Sequence, residues 1–325
     1  MWPLIKILPT QTHFKFVDFA RYAAAISIVA VIVSLGFTLF PFKAPCGGLT
    51  CGIDFKGGTV LELSTAPKAV DLGATRAALS TKGLGEIQVQ AFGAPSSAMV
   101  RFQTPAGSSP ANTVDDVKQT LRQTLGQQTQ FPNVAVVGPK VSGELFRNGI
   151  IALGLAIGLM LIYIWFRFEL QFGIGAVVAL FHDVILTFGL IALTKMEFSL
   201  QTIAAILTII GYSMNDTVVV FDRLRENLRK YKRMPLREVI DLSINETLSR
   251  TVITGLTAVL ALGGLAVFGG DSLFGFSIIM IFGIVLGTYS SIYVAAPVIL
   301  LWGIKRGEEE PEILQPPPGT RRLQP

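Results

Sequence analysis

The sequence predicts a membrane protein: an all-α bundle of six transmembrane helices with a small α+β domain inserted after the first. Three observations predict it. Six long apolar runs carry almost no charge, Lys and Arg gather beside alternate ends of those runs, and residues 43–147 alternate between strand and helix periods.

The runs span residues 22–42, 148–166, 170–194, 198–221, 250–270 and 272–304. A helix rises about 1.5 Å per residue, so roughly 20 apolar residues cross a hydrocarbon core of about 30 Å. Lipid offers backbone N–H and C=O groups no partner, so each run is expected to be helical. The last run is overlong and holds Pro297, which predicts a tilt, a kink or a continuation into the interface. Only 15% of the chain is charged and 51% is hydrophobic, against about 25% charged in a soluble domain. Residues 1–21 form a basic arm that loosely imitates a signal peptide. The apolar stretch after it is long for a signal core, and no convincing cleavage site precedes Pro41, so the first helix is expected to be retained.

Basic residues in short segments set orientation. Lys6, Lys15 and Arg21 precede the first run and Arg167 follows the second. Arg223, Arg225, Arg229, Lys230, Lys232, Arg233 and Arg237 follow the fourth, and Lys305, Arg306, Arg321 and Arg322 follow the sixth. These fifteen fall on one side, against Lys195 alone in the opposite short loops. Both termini are therefore expected in the cytoplasm and residues 43–147 outside. The net charge of +5 is accounted for by these helix-end clusters, so nucleic acid is not expected as a partner. Segment 222–249 also holds Asp222, Glu226, Glu238, Asp241 and Glu246, which reads as a mixed-charge amphipathic cytoplasmic helix. The tail 305–325, with its acidic run and three consecutive prolines, is expected to be disordered.

In the outer segment, 59–64, 86–92, 98–104 and 134–137 read as strands by β-branched content and alternation. Residues 71–82 have helical spacing with Asp71 as N-cap, and 113–125 have it with Asn112 or Thr113 opening the helix. The order β-α-β-β-α-β, from about Gly57 to Lys140, is the ferredoxin-like pattern. Cys46 and Cys51 lie just outside the first helix, where a small disulfide and two free thiols are both open readings. Residues 52–59, GIDFKGGT, nearly imitate a nucleotide loop, but Gly58 stands where a P-loop needs Lys. Nucleotide binding is rejected. The glycines instead permit a tight turn where the membrane helix enters the outer domain.

Ionisable residues inside apolar runs are the informative ones. A charge at the bilayer centre costs about 2.5–3.5 kcal/mol on insertion scales, which makes each a functional candidate. His182 and Asp183 fall near the middle of the third helix, Asp216 in the fourth and Arg250 at the cytoplasmic start of the fifth. Plainer readings exist for each. Arg250 can snorkel to the interface, His182–Asp183 can be a neutral packing pair, and Asn215 a helix-bridging amide. Asp216 lies about six residues before its run ends, roughly 9 Å deep at helical rise, too deep for an ordinary interfacial carboxylate. Its plainer reading is a polar residue gluing helices. The patterns Gly154–Gly158 and Gly283–Gly287 predict close helix contacts. No nucleophile triad or cofactor motif stands out, and two His and two Cys make a metal site improbable. Covalent chemistry, a cofactor and a metal are therefore not expected.

GIDFKGGT at 52–59, FRFE at 166–169, HD at 182–183, GYSMNDTVVVFDRLREN at 211–227, NETLSRT at 245–251 and GTYSSIYVAAPV at 287–298 together resemble the SecF family of the bacterial Sec protein translocase. The resemblance runs from about residue 14 to about 305, with the motifs in order. It implies a multi-pass inner-membrane subunit with a periplasmic domain. It implies SecD as partner in a twelve-helix unit of the resistance-nodulation-division type. That unit would work with the SecYEG channel and the SecA motor on a translocating preprotein, using the proton-motive force. It also implies that Asp216 and Arg250 are the intramembrane proton-coupling residues. The cysteine pair is not part of that pattern. A small-molecule efflux subunit of the same superfamily is the alternative, and a non-transporting scaffold a third reading. The small outer domain argues against efflux.

Overall fold

The computed structural model describes residues 12–41, 46–84, 87–105 and 108–302. Lys6, Lys43, Glu86 and the tail 305–325 lie outside the described residues.

Among the described residues, six helices are long and apolar enough to cross a membrane. They are α1 (Phe16–Leu39), α5 (Pro139–Arg167), α6 (Leu170–Thr194), α7 (Leu200–Lys230), α8 (Leu236–Phe268) and the composite of α9 (Asp271–Ser290), a π turn (Ser291–Ala295) and α10 (Ala296–Trp302). Between α1 and α5 come β1 (Thr50–Cys51), α2 (Ile53–Lys56), β2 (Gly58–Ser64), α3 (Leu72–Ser80), β3 (Gln88–Phe92), β4 (Ala94–Phe102), α4 (Pro110–Leu125) and β5 (Val134–Val137). β6 (Glu197–Phe198) joins α6 to α7.

The inserted domain is a four-stranded antiparallel sheet ordered β3-β4-β2-β5. Alternation in β2 turns Leu61 and Leu63 inward. Val114, Val117 and Leu121 line one face of α4 at helical spacing, and together they close a core with Leu79, Val100 and Phe102. Asp71 caps α3, its side chain accepting from the Ala74 N–H at 2.9 Å. α4 starts at Pro110, earlier than the spacing predicts, because proline at the first turn is already set for helix. β4 also starts earlier, at Ala94, since Gly93 at φ +69° lets β3 turn straight back into it.

Several helices outrun their apolar stretches. α1 begins at Phe16, its first turns burying Val17 and Ala20, and α5 begins at Pro139, a residue already set for a first helical turn. Segment 222–249 is not one separate helix. It is the continuation of α7 to Lys230 and the start of α8 at Leu236, joined by a short turn. In the last span the Ala296 N–H reaches back five residues to the Ser291 carbonyl. Pro297 has no N–H to offer, and the chain meets it with a widened turn.

The two ends of the bundle differ. At one, the residues before α1 pack on α8, where Asn245 Oδ1 accepts from the Phe14 N–H at 3.0 Å and Asp241 Oδ1 from the Val17 N–H at 2.9 Å. Arg167 pairs with Asp222 there, and Arg223 with Glu246 and Glu226. At the other, β1 pairs in parallel with β6, tying the segment after α1 to the α6–α7 link. Glu197 of β6 pairs with Arg101 of β4. Cys46 and Cys51 form a disulfide beside this strap.

Candidate functional site

α7 packs against α5, α6, α8 and α9, with a stripe of large apolar residues turned to them. Ile203, Ile206, Ile209, Ile210 and Met214 are all buried. Small residues let α9 come close: a Cβ at Gly283 would lie 2.3 Å from Ile209, and one at Gly287 2.9 Å from Ser213. The Gly154–Gly158 pattern makes no such contact. A Cβ at either position would meet nothing within 4 Å, because that face of α5 is not covered by this chain.

Asp216 sits on α7 facing α8 and the π turn. Thr251 Oγ1 donates to its Oδ1 at 2.6 Å, while its buried Oδ2 has no hydrogen-bond partner among the described residues. Asp216, Arg250, Asn215, Tyr212, Thr254 and Thr288 surround a cavity of about 40 Å³. Arg250 is exposed and forms no ion pair with Asp216 within 4.0 Å, though its charge is close enough to act on the carboxyl group. The structure thus brings Asp216, Arg250 and Asn215 to one cavity without bonding them to each other. Thr251, the residue that holds Asp216, carries no signal of its own in the sequence. A threonine inside a helix is too ordinary a signal.

His182 and Asp183 form a second polar cluster. Asp183 is 1% exposed and His182 5%. His182 Nδ1 lies 2.9 Å from Asp183 Oδ1, and its Nε2 lies 3.2 Å from Ser27 Oγ on α1. Ser213 of α7 and Ser290 of α9 both donate to Asp183 Oδ2. Ser27 Oγ lies 2.9 Å from the Tyr289 hydroxyl, which donates to the Ala23 carbonyl at 3.0 Å. These are hydrogen-bonding partners on four helices, more than the simple packing pair allowed by the sequence. The two clusters are neighbours through the π turn. Ser290 bonds Asp183, while the next residue, Ser291, lies 2.8 Å from Thr217 Oγ1 and against Asp216.

A turn of glycines connects the strap to the inserted domain. Gly57 and Gly58 have φ of +72° and +124°, and a Cβ on Gly58 would stand 2.8 Å from the Phe102 carbonyl oxygen. A family model for the SecD/SecF GG motif matches residues 48–69, and one for the C-terminal part of the export membrane protein SecD/SecF matches residues 116–305. The chain is 45% identical over 316 residues to the protein translocase subunit SecF of Cereibacter sphaeroides, covering 93% of this chain and 94% of that one. The chain belongs to the SecF family. The SecF subunit of Rickettsia bellii is 40% identical over 312 residues, 95% of this chain and 99% of its own. Among solved structures, SecDF of Thermus thermophilus, described as a translocon-associated membrane protein, superposes with a TM-score of 0.79 at 34% identity. A SecDF in a super-membrane-facing form superposes with a TM-score of 0.65 at the same identity. This chain covers about nine-tenths of itself in both matches but spans 39% of either SecDF chain.

Proposed function

We propose that this chain is an accessory subunit of the Sec protein-export machinery that uses the proton-motive force to promote preprotein translocation across the bacterial inner membrane. It does so without covalent chemistry. SecD is its partner in the membrane, and the SecYEG channel and the SecA motor are the machinery the pair assists. Membership of the SecF family supports the export role, and SecDF chains of which this one matches a part support the SecD partnership. The inserted domain then stands in the periplasm as a ferredoxin-like unit. Its β-α-β-β-α-β order and antiparallel sheet β3-β4-β2-β5 support that reading.

One observation carries the proton coupling: inside α7, Asp216 has one oxygen held by Thr251 and the other without a partner among the described residues, beside Arg250. Taking a carboxylate out of water favours its neutral form, and an approaching guanidinium favours the charged one. Arg250 is near Asp216 but not bonded to it, so a small change in its distance switches the balance at Asp216. The same movement of α8 against α7 is relayed to the inserted domain, where the preprotein is gripped.

Asp216→Asn tests this. The swap is nearly isosteric and removes the titrating group, and an amide costs less to bury than a carboxylate. Folding and SecD binding should survive while uncoupler-sensitive stimulation of preprotein translocation into inverted vesicles disappears. Full retention of that stimulation would show that Asp216 is structural glue. Arg250→Lys keeps the charge and loses the planar fork, so it should impair translocation less completely than Asp216→Asn if charge alone matters.

A further inference from the structure

The hydrogen-bond inventory around His182 has a property that a packing cluster does not need. The Tyr289 hydroxyl proton points to the Ala23 carbonyl. Ser27 must then supply the proton of its contact with Tyr289, and having one proton it has none left for His182. His182 Nε2 therefore donates to Ser27. With Nε2 protonated, the bond between His182 Nδ1 and Asp183 Oδ1 still needs a proton of its own, on whichever atom it resides. In this arrangement the pair holds two protons.

A second arrangement satisfies the same atoms with one proton fewer. The Tyr289 hydroxyl turns from Ala23 to Ser27, Ser27 turns to donate to Nε2, and Nδ1–H donates to an ionised Asp183. Atoms balance simply. The Nε2 proton passes to Ser27, the Ser27 proton passes to Tyr289, and the proton Tyr289 had aimed at Ala23 passes to water in the cavity that Ser27 and His182 line. The Ala23 carbonyl loses only a supplementary donor, and Asp183 Oδ2 keeps Ser213 and Ser290 in both arrangements. The titratable groups facing the pair are each other and Tyr289 of α9, which stacks on His182, with Tyr293 tilted 5.4 Å beyond it, while Arg21 and Arg237 line the same cavity as His182. α1 and α7 hydrogen-bond to it through Ser27 and Ser213.

We propose that His182, Asp183, Ser27 and Tyr289 form a second intramembrane proton-holding site, which exchanges one proton through Tyr289 and is linked to Asp216 through the consecutive Ser290 and Ser291. The site deepens the proton-coupled reading of the chain and rests on it. Ser290 bonds Asp183 and Ser291 bonds the Thr217–Asp216 side, so both centres meet where α9 enters the π turn, an element frequent at functional sites. Proton occupancy at one centre thereby biases the other.

The chain has only two histidines, so ring-nitrogen NMR of the full chain, labelled in histidine with ¹⁵N and reconstituted with its partner in bilayers, reads His182 directly. An exposed His13 is assigned by His13→Gln. The expected result is a one-proton transition in which Nε2 changes from bearing a proton to accepting one. A single unchanged protonation pattern over the whole pH range of the folded protein would overturn the site. Tyr289→Phe keeps the ring and removes the rotor, and should move the transition midpoint by about one pH unit or more; an unmoved midpoint overturns the Tyr289 route. Asp183→Asn should abolish the transition, and Tyr289→Phe decides where that variant does not fold. Asp216→Asn should shift the midpoint without removing it, and no shift overturns the link through the serines. The NMR readout needs no export. Silence at His182 with export still lost in Asp216→Asn defeats this site alone, and a titrating His182 with export unaffected by Asp216→Asn defeats only the role of Asp216.

Discussion

Gly58 shows what a single residue decides. Its φ of +124° is open to glycine and strained for any other residue, and a Cβ there would press the Phe102 carbonyl. Gly58→Ala should destabilise the β2–β4 pairing by about 1–3 kcal/mol, visible as faster amide exchange in β2 and β4 of the full chain, with α6 and α7 unchanged. Unchanged exchange would mean the turn relaxes freely. The charged candidates are legible in sequence for an energetic reason, since an ionisable group in an apolar run is expensive and therefore conspicuous. Their partners are not. Ser27, Ser213, Thr251 and Ser290 are small polar residues that any membrane helix tolerates by bonding its own backbone, and only the fold reveals which of them turn toward a carboxyl group.

At the scale of elements, periodicity finds what is long. Each membrane helix and each strand of the four-stranded sheet has enough residues for a pattern to repeat, so the order of residues alone makes them recognisable. The β1–β6 strap is two residues on each side, too short for alternation to register. Its importance lies in what gathers on it. Glu197 pairs with Arg101 of the inserted domain and accepts from the Ile53 N–H at 3.3 Å, and Asp54 accepts from the Leu200 N–H at 3.0 Å, opening α7. A displacement of α7 therefore has a direct route to the sheet. Glu197→Gln removes the charge facing a largely buried Arg101, whose side chain is 17% exposed. The expected cost is about 1–3 kcal/mol of local stability, read as faster exchange confined to residues 50–56 and 197–200. If exchange there is unaltered, the ion pair does not hold the domain to the bundle.

For the whole molecule, the two ends of the bundle carry different chemistry, and that difference predicts its orientation. The residues before α1, the end of α5, the turn between α7 and α8 and their Arg–carboxylate pairs gather at one end, while the inserted domain, the disulfide and the α6–α7 link with Lys195 occupy the other. Lys and Arg concentrate at the first end, which the charge rule assigns to the cytoplasm. A disulfide at the second agrees with an oxidising compartment. It also makes the test clean. The two cysteines of the chain are joined to each other and leave no free thiol, so a cysteine introduced at the exposed Gln119 of α4 is the only target for a maleimide. In intact cells a membrane-impermeant maleimide should label Gln119→Cys, and it should label a cysteine placed at exposed Lys232 only after permeabilisation. The reverse pattern would turn the molecule over, placing the inserted domain in the cytoplasm. It could then not grip a chain emerging on the far side, and the export mechanism proposed for Asp216 would lose its output.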